Sequence, residues 1–221
     1  MKRQSVTAQK FTWRTWVNNF LKREFLLFFN IPKNIYLPLS IYSIVFVIFI
    51  ALGLPDDFKF ANVFISSFIT VFIISESSYK DDFESGAIEQ MLFEDKNLIN
   101  YVLSKLLIQA VFVFFPMLII GLLFSGLPQN LSLAQFSVSY LACLLTLSPF
   151  FNLGSIVSIR KNNSLNALII IPFLVPFIFL IEGLFISGQW NPNFYFLMAY
   201  FVFSIVFINL LVVEVIKIQI R

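Results

Sequence analysis

Seven of the twelve acidic residues lie between Glu76 and Asp95, in the run Ser-Glu-Ser-Ser-Tyr-Lys-Asp-Asp-Phe-Glu-Ser-Gly-Ala-Ile-Glu-Gln-Met-Leu-Phe-Glu-Asp-Lys. Carboxylates at this density suit three chemistries: holding a divalent cation, acid–base catalysis, or docking a polar partner. An EF-hand loop needs oxygen ligands at its first, third, fifth and twelfth positions. Counting from Asp81 puts Phe83 third and Leu92 twelfth, which excludes it. Paired carboxylates can hydrolyse glycosides, but acids beside bulk water gain little pKa tuning and nothing nearby supplies a pocket. Docking remains. Ala87, Ile88, Met91 and Leu92 recur at helical spacing with Glu89, Gln90 and Glu94 on the flanks, which predicts a short helix with one apolar face. Gly86 permits a sharp turn before it, Ser85 can cap it, and Asp81, Asp82 and Glu84 suit the positive end of its dipole. A loop that needed only solvation would have no use for Phe83, Ile88, Met91, Leu92 and Phe93 together.

Other chemistries are excluded by composition. The chain has no histidine and one cysteine, so zinc sites, histidine-ligated haem, His-based triads and intrachain disulfides are ruled out. No cofactor or metal is expected on this chain. Cys143, inside an apolar stretch, reads as a small buried residue. No G-x-x-x-x-G-K-[ST] loop occurs, so the chain does not hydrolyse ATP by that route; any energy for transport comes from a separate ATPase or an ion gradient. The chain is not expected to be an enzyme. The basic residues, although the net charge is +3, form no single soluble face of the kind nucleic acids bind.

The elements that must carry the acidic stretch are transmembrane. Of the 221 residues 59% are hydrophobic and 12% charged, with mean hydropathy +0.87, far from the roughly 25% charged residues of a soluble domain. Six segments approach the roughly 20 apolar residues that cross a bilayer: 35–54, 61–77, 101–124, 133–150, 165–185 and 195–213. One transmembrane domain over 1–221 is the expected organisation. With this assignment 14 of the 15 basic residues fall on one side and Lys59 alone on the other, which places both termini inside by the positive-inside rule. The acidic stretch then lies in the inner loop between the second and third spans.

Before the first span, residues 11–30 alternate Trp13, Trp16, Val17, Phe20 and Leu21 with Arg14/Thr15, Asn18/Asn19 and Lys22/Arg23. That pattern predicts an amphipathic helix lying flat at the inner interface and turning into the membrane near Pro32. Glu182 is the acid set inside a span on the outer half, readable either as a pathway or partner contact or as an interfacial acid facing water. Glu76 and Lys105 sit at the inner edge, where a pair between them could close the loop.

Asp81 to Leu92 resembles the cytoplasmic-loop motif of the CcmB family, the permease subunit of the cytochrome c maturation ABC transporter. The family pattern is approximately Asp-x-x-x-Gly-x-Leu-Glu-Gln-Leu, matched by Asp82, Gly86, Ile88, Glu89, Gln90 and Met91. Lys105 stands where the family commonly has a lysine, and Ile171-Pro172-Phe173-Leu174-Val175-Pro176 is similar to the family's Leu-Pro-x-x-x-Pro after a basic turn, here Arg160 and Lys161. The departures are Asp95 and Asn97 in place of prolines, and Gln109 and Ala110 in place of a His-Trp pair, so no histidine of this chain is available to touch haem.

The resemblance implies an all-α, ABC-2-like permease: an elbow helix, six transmembrane helices, and a cytoplasmic coupling helix. That helix would dock on the ATPase through Asp81, Asp82, Glu84, Gly86, Ile88, Glu89, Gln90 and Met91. It further implies two copies of an ABC ATPase that holds the ATP, a haem-handling multi-span subunit, a small single-span subunit, a periplasmic haem chaperone, and haem as the cargo of the complex. The setting implied is the bacterial inner membrane, with the mitochondrial inner membrane as the alternative. From the residues alone, an ABC-2-type permease for a lipid or drug and a non-transporting assembly scaffold both stay open.

Overall fold

The computed structural model describes residues 13–31, 33–52, 59–93, 97–125, 131–159, 164–186 and 190–220. Every regular element among them is helical. In chain order they are α1 (Trp13–Asn30), α2 (Lys33–Ala51), α3 (Lys59–Glu84), α4 (Ala87–Phe93), α5 (98–125), α6 (Leu133–Ser158), α7 (164–186) and α8 (190–220). Four helices are by themselves long and apolar enough to cross a membrane: Asn62–Glu84, Leu98–Phe124, Leu133–Ser158 and Asn191–Ile220. Residues 35–51 of segment 35–54 lie in α2, and segment 165–185 lies in α7. The first forms a bent pair with α1 at 63°, and the second is apolar over Ile170–Phe185. The 63° bend falls where the chain was expected to turn; Pro32 itself lies outside the described residues, as do residues 11 and 12 and the side chains of Trp13, Trp16 and Val17.

Helix α6 is the axis of the bundle, 83% buried over its membrane-length window, with α3, α7 and α8 packed around it. It starts with a capping box, Ser132 accepting from the Gln135 amide while Gln135 reaches back to the Ser132 amide. Its last carbonyls, Ile156 and Val157, accept from the Gln219 side chain at the far end of α8. α2 flanks α3, and α1 lies along α5. One apolar cluster, with Phe46, Phe114, Phe136 and Phe177, fills the middle of the bundle. A second, with Phe20, Ile88, Met91, Tyr101 and Ile216, fills the end where α1 and α4 sit.

Prolines and π turns shape these helices together. Pro116 cannot donate to the Phe112 carbonyl, and its ring crowds that turn. The preceding turn Ala110–Phe114 widens to π geometry, Phe115 N–H donating to the Ala110 carbonyl. Between Pro172 and Pro176 the Phe173 carbonyl accepts from Tyr200 Oη at 2.9 Å, as expected of a proline-bearing span whose carbonyls turn to neighbours. In α8, at the π turn Ser204–Ile208, the Ile205 carbonyl accepts from Asn209 Nδ2 at 2.8 Å.

Candidate functional site

Asp81, Asp82 and Glu84 do not head the short helix. They form the last turn of α3, which runs to Glu84. This corrects the expectation that they favour the positive dipole of α4: here they face the negative end of α3, an unfavourable place for carboxylates unless cations answer them. Gly86, at φ +71°, makes the corner, a conformation costly for any residue with a Cβ. Its carbonyl accepts from Gln90 N–H at 3.0 Å and so opens α4. Ser85, expected as the cap, instead donates to the Asp82 carbonyl at 3.2 Å.

The cations that answer come from helices remote in sequence. Asp82, 8% exposed, accepts from Arg23 Nη2 on α1 at 2.8 Å and from Tyr101 Oη on α5 at 2.6 Å. Its Oδ2 also pairs with Lys105 on α5. Lys105 donates a further bond to the Ser78 carbonyl at 2.7 Å, and Glu24, 3.9 Å away, completes the group by pairing with Arg23. Two cations and two carboxylates thus form a closed knot under α4, with the Tyr79 and Tyr101 rings each 5.1 Å from the ammonium. The charges are satisfied several times over, the condition under which a buried ion pair persists.

The helix α4 is fastened to that knot. Ile88 is 1% and Met91 5% exposed, both in the inner-end core. The side chains of Asp82, Ile88 and Met91, expected on the docking surface, are buried within the chain, because the apolar face of α4 covers its own bundle. Asp81, Glu84, Glu89 and Gln90 are exposed, Phe83 and Leu92 are half-buried, and Phe93 stands 87% exposed. Glu94, Asp95 and Lys96 lie outside the described residues, as do Arg160 and Lys161. Lys80 and Glu84 form an exposed pair at 4.0 Å. The partner of Lys105 is Asp82, where the sequence pointed to Glu76.

Arg23 and Glu24 were not singled out by sequence. Arg23 reads as part of a solvated face, yet it turns inward. The usable signal was Glu24, which repeats with Phe20 and Phe28 at every fourth residue; all three are buried, and a carboxylate on an apolar stripe requires a cation.

Farther along the bundle the polar groups are neutral. Tyr140 Oη bonds Ser67 Oγ at 2.6 Å and Tyr42 Oη at 3.0 Å, and Gly121 lets Tyr42 approach, since a Cβ there would stand 2.9 Å from its hydroxyl. Thr70 donates to the Ser66 carbonyl at 2.8 Å. Ser67, Thr70 and Asn209 thus serve hydrogen bonds within the bundle. Cys143 is buried at 1% exposure. Glu182 is exposed where α7 widens into the π turn Glu182–Ile186. No group of three or more metal-ligating side chains gathers among the described residues.

The apolar face of α4 is thus buried against the end of the bundle, and its other face is exposed. The family model described as CcmB protein matches residues 15–215. This chain belongs to the CcmB family. It is also 28% identical over 176 residues to the heme exporter protein B of Pseudomonas aeruginosa, across 74% of this chain and 77% of that one. As a CcmB chain it is a multi-pass membrane permease component, and the match spans α1 through most of α8, so knot, corner and α4 all lie inside the family's region.

Proposed function

We propose that this CcmB chain is the membrane permease subunit of an ABC transporter complex that exports haem for cytochrome c maturation, and that α4 is its coupling helix. The observation that carries the reading is the pairing of a rigid seat with a polar outer face. Ile88 and Met91 are buried, while Glu89, Gln90 and Phe93 point away from the bundle. A helix buried on its inner face and exposed on its outer one can pass the movement of an ATPase into the membrane.

In this reading the contact residues are Asp81, Glu84, Glu89 and Gln90, with Gly86 setting the corner and Asp82 positioning it. The chain crosses the bacterial inner membrane six times with both termini inside. It works with two ABC ATPase subunits, a haem-handling multi-span subunit, a small single-span subunit and the periplasmic haem chaperone. The histidine ligands that haem needs come from those partners, since this chain has none. Haem is the cargo of the complex.

The test is co-purification. Glu89→Lys should leave insertion and elution unchanged and cut the ATPase recovered with the complex by about tenfold; undiminished recovery rejects α4 as the docking helix. Reconstituted complex supplied with ATP and haem in liposomes tests the cargo separately.

A further inference from the structure

Phe93 closes α4 on the face that also carries Glu89 and Gln90, four and three residues before it. It is 87% exposed, the highest value among the large apolar side chains described. Of the eight exposed residues from Ser77 to Phe93, seven are polar or charged and the eighth is Phe93. Apolar side chains that face lipid are arranged differently on this chain. On α7, Ile171, Val175, Ile178 and Phe179 are 48–68% exposed and recur at helical spacing as one stripe. Phe93 belongs to no such stripe, because the neighbours on its own face are an acid and an amide. Its helix is also well seated: Ile88 and Met91, 1% and 5% exposed, lie in the inner-end core, so the ring is offered outwards from a fixed base.

We propose that Phe93 is the anchor of the docking face, its ring entering an apolar pocket of the ABC ATPase whose rim carries Lys or Arg. The inference rests on the reading of α4 as the coupling helix, and it adds the residue and the pocket chemistry to that reading. The ring supplies the rigid aromatic area that dominates interfaces, and the polar residues around it form the rim that shuts out water. Presentation from a buried base lowers the ordering cost of binding. The charges select the occupant. Exposed between Lys80 and Phe93 are Asp81, Glu84 and Glu89 against Lys80, an acidic excess that a basic rim complements. The inner leaflet is itself negative and would be repelled by that excess. A second copy of this chain in a two-fold contact would bring the same acids against themselves.

The test is the affinity of the full-length chain, in lipid nanodiscs, for its purified ABC ATPase without nucleotide, at low and at high salt. Phe93→Ala should weaken binding about tenfold at both salts, since apolar burial is not screened. Phe93→Leu keeps an apolar filling and should lose about threefold or less. The natural chain should bind about fivefold more weakly at high salt, and Glu89→Gln should reduce that dependence. Because Phe93 is exposed, its variants should elute and unfold as the natural chain does. A bimane label on Phe93→Cys reports the surroundings of the ring directly, the natural Cys143 being buried. Its emission should shift to the blue when the ATPase is added.

Binding by Phe93→Ala within about twofold of the natural chain at both salts overturns the anchor. If Glu89→Lys still lowers ATPase recovery in that case, α4 docks through its polar residues and the proposed function stands; if recovery is also unchanged, both readings fall together. Affinity of the natural chain indifferent to salt overturns the basic rim. Bimane emission that is already blue before the ATPase is added shows the ring covered by lipid or by this chain, and overturns the proposal. If Phe93→Ala does not fold, the Phe93→Leu affinities and the bimane shift decide the matter.

Discussion

The two ends of polar chemistry in this bundle solve one problem, tying helices together, with different groups. Under α4 the ties are full charges, Arg23, Glu24, Asp82 and Lys105. In the middle they are hydroxyls: Tyr42, Ser67 and Tyr140. A charge at the centre of a bilayer costs about 2.5–3.5 kcal/mol even on the lenient insertion scales, whereas hydroxyls bond across helices cheaply and contribute about 0.6 kcal/mol each on average. Near the membrane edge, water and headgroups lower the cost of charge, and long-range attraction can hold three helices at one point. The charged ties join α1, α3 and α5 at the end of the bundle where α4 packs.

Breaking the knot should have the largest effect. Lys105→Met leaves Asp82 short of a partner and should lower stability by about 3–5 kcal/mol, read by denaturant titration in detergent. Asp82→Leu combined with Lys105→Met removes both members and leaves Arg23 with Glu24, so it should recover at least half of that loss; a double variant as unstable as the single one would show that the pair is more than a matched burial of charge. Gly86→Ala tests the corner: a Cβ there meets open space, so only the backbone penalty of about 1–2 kcal/mol applies. Tyr140→Phe removes the central hydroxyl and should cost about 0.6 kcal/mol, and not above about 1.7; a loss matching that of the knot would abolish the contrast. Glu89→Lys, on the exposed face of α4, should change stability by less than about 0.5 kcal/mol while reducing ATPase recovery, which separates the surface of this end from its interior.

Much of the fold is legible in the sequence, since apolar runs long enough to cross a bilayer have few alternatives to helix: α3, α5, α6, α7 and α8 each contain one expected segment, and α2 holds residues 35–51 of another. The corner at Gly86 and the helix after it also follow from local residue types. The site is less legible. Asp81 and Asp82 are neighbours of one kind, yet one is exposed and the other is 8% exposed. Successive positions on a helix lie about 100° apart, and nothing local says which direction faces a partner. Ile88 and Met91 were rightly placed on one face, but whether another subunit or the same chain covers that face is beyond periodicity.

What the sequence determined by itself is therefore the membrane, the helices and the local turn, each set by residues within a few positions of one another or by the solvent. What only the tertiary structure decided is where the charges go. Arg23 and Asp82 are 59 positions apart, and Asp82 and Lys105 are 23 apart. Ion pairing acts through space, and the spatial neighbours exist only after α1, α3 and α5 have packed.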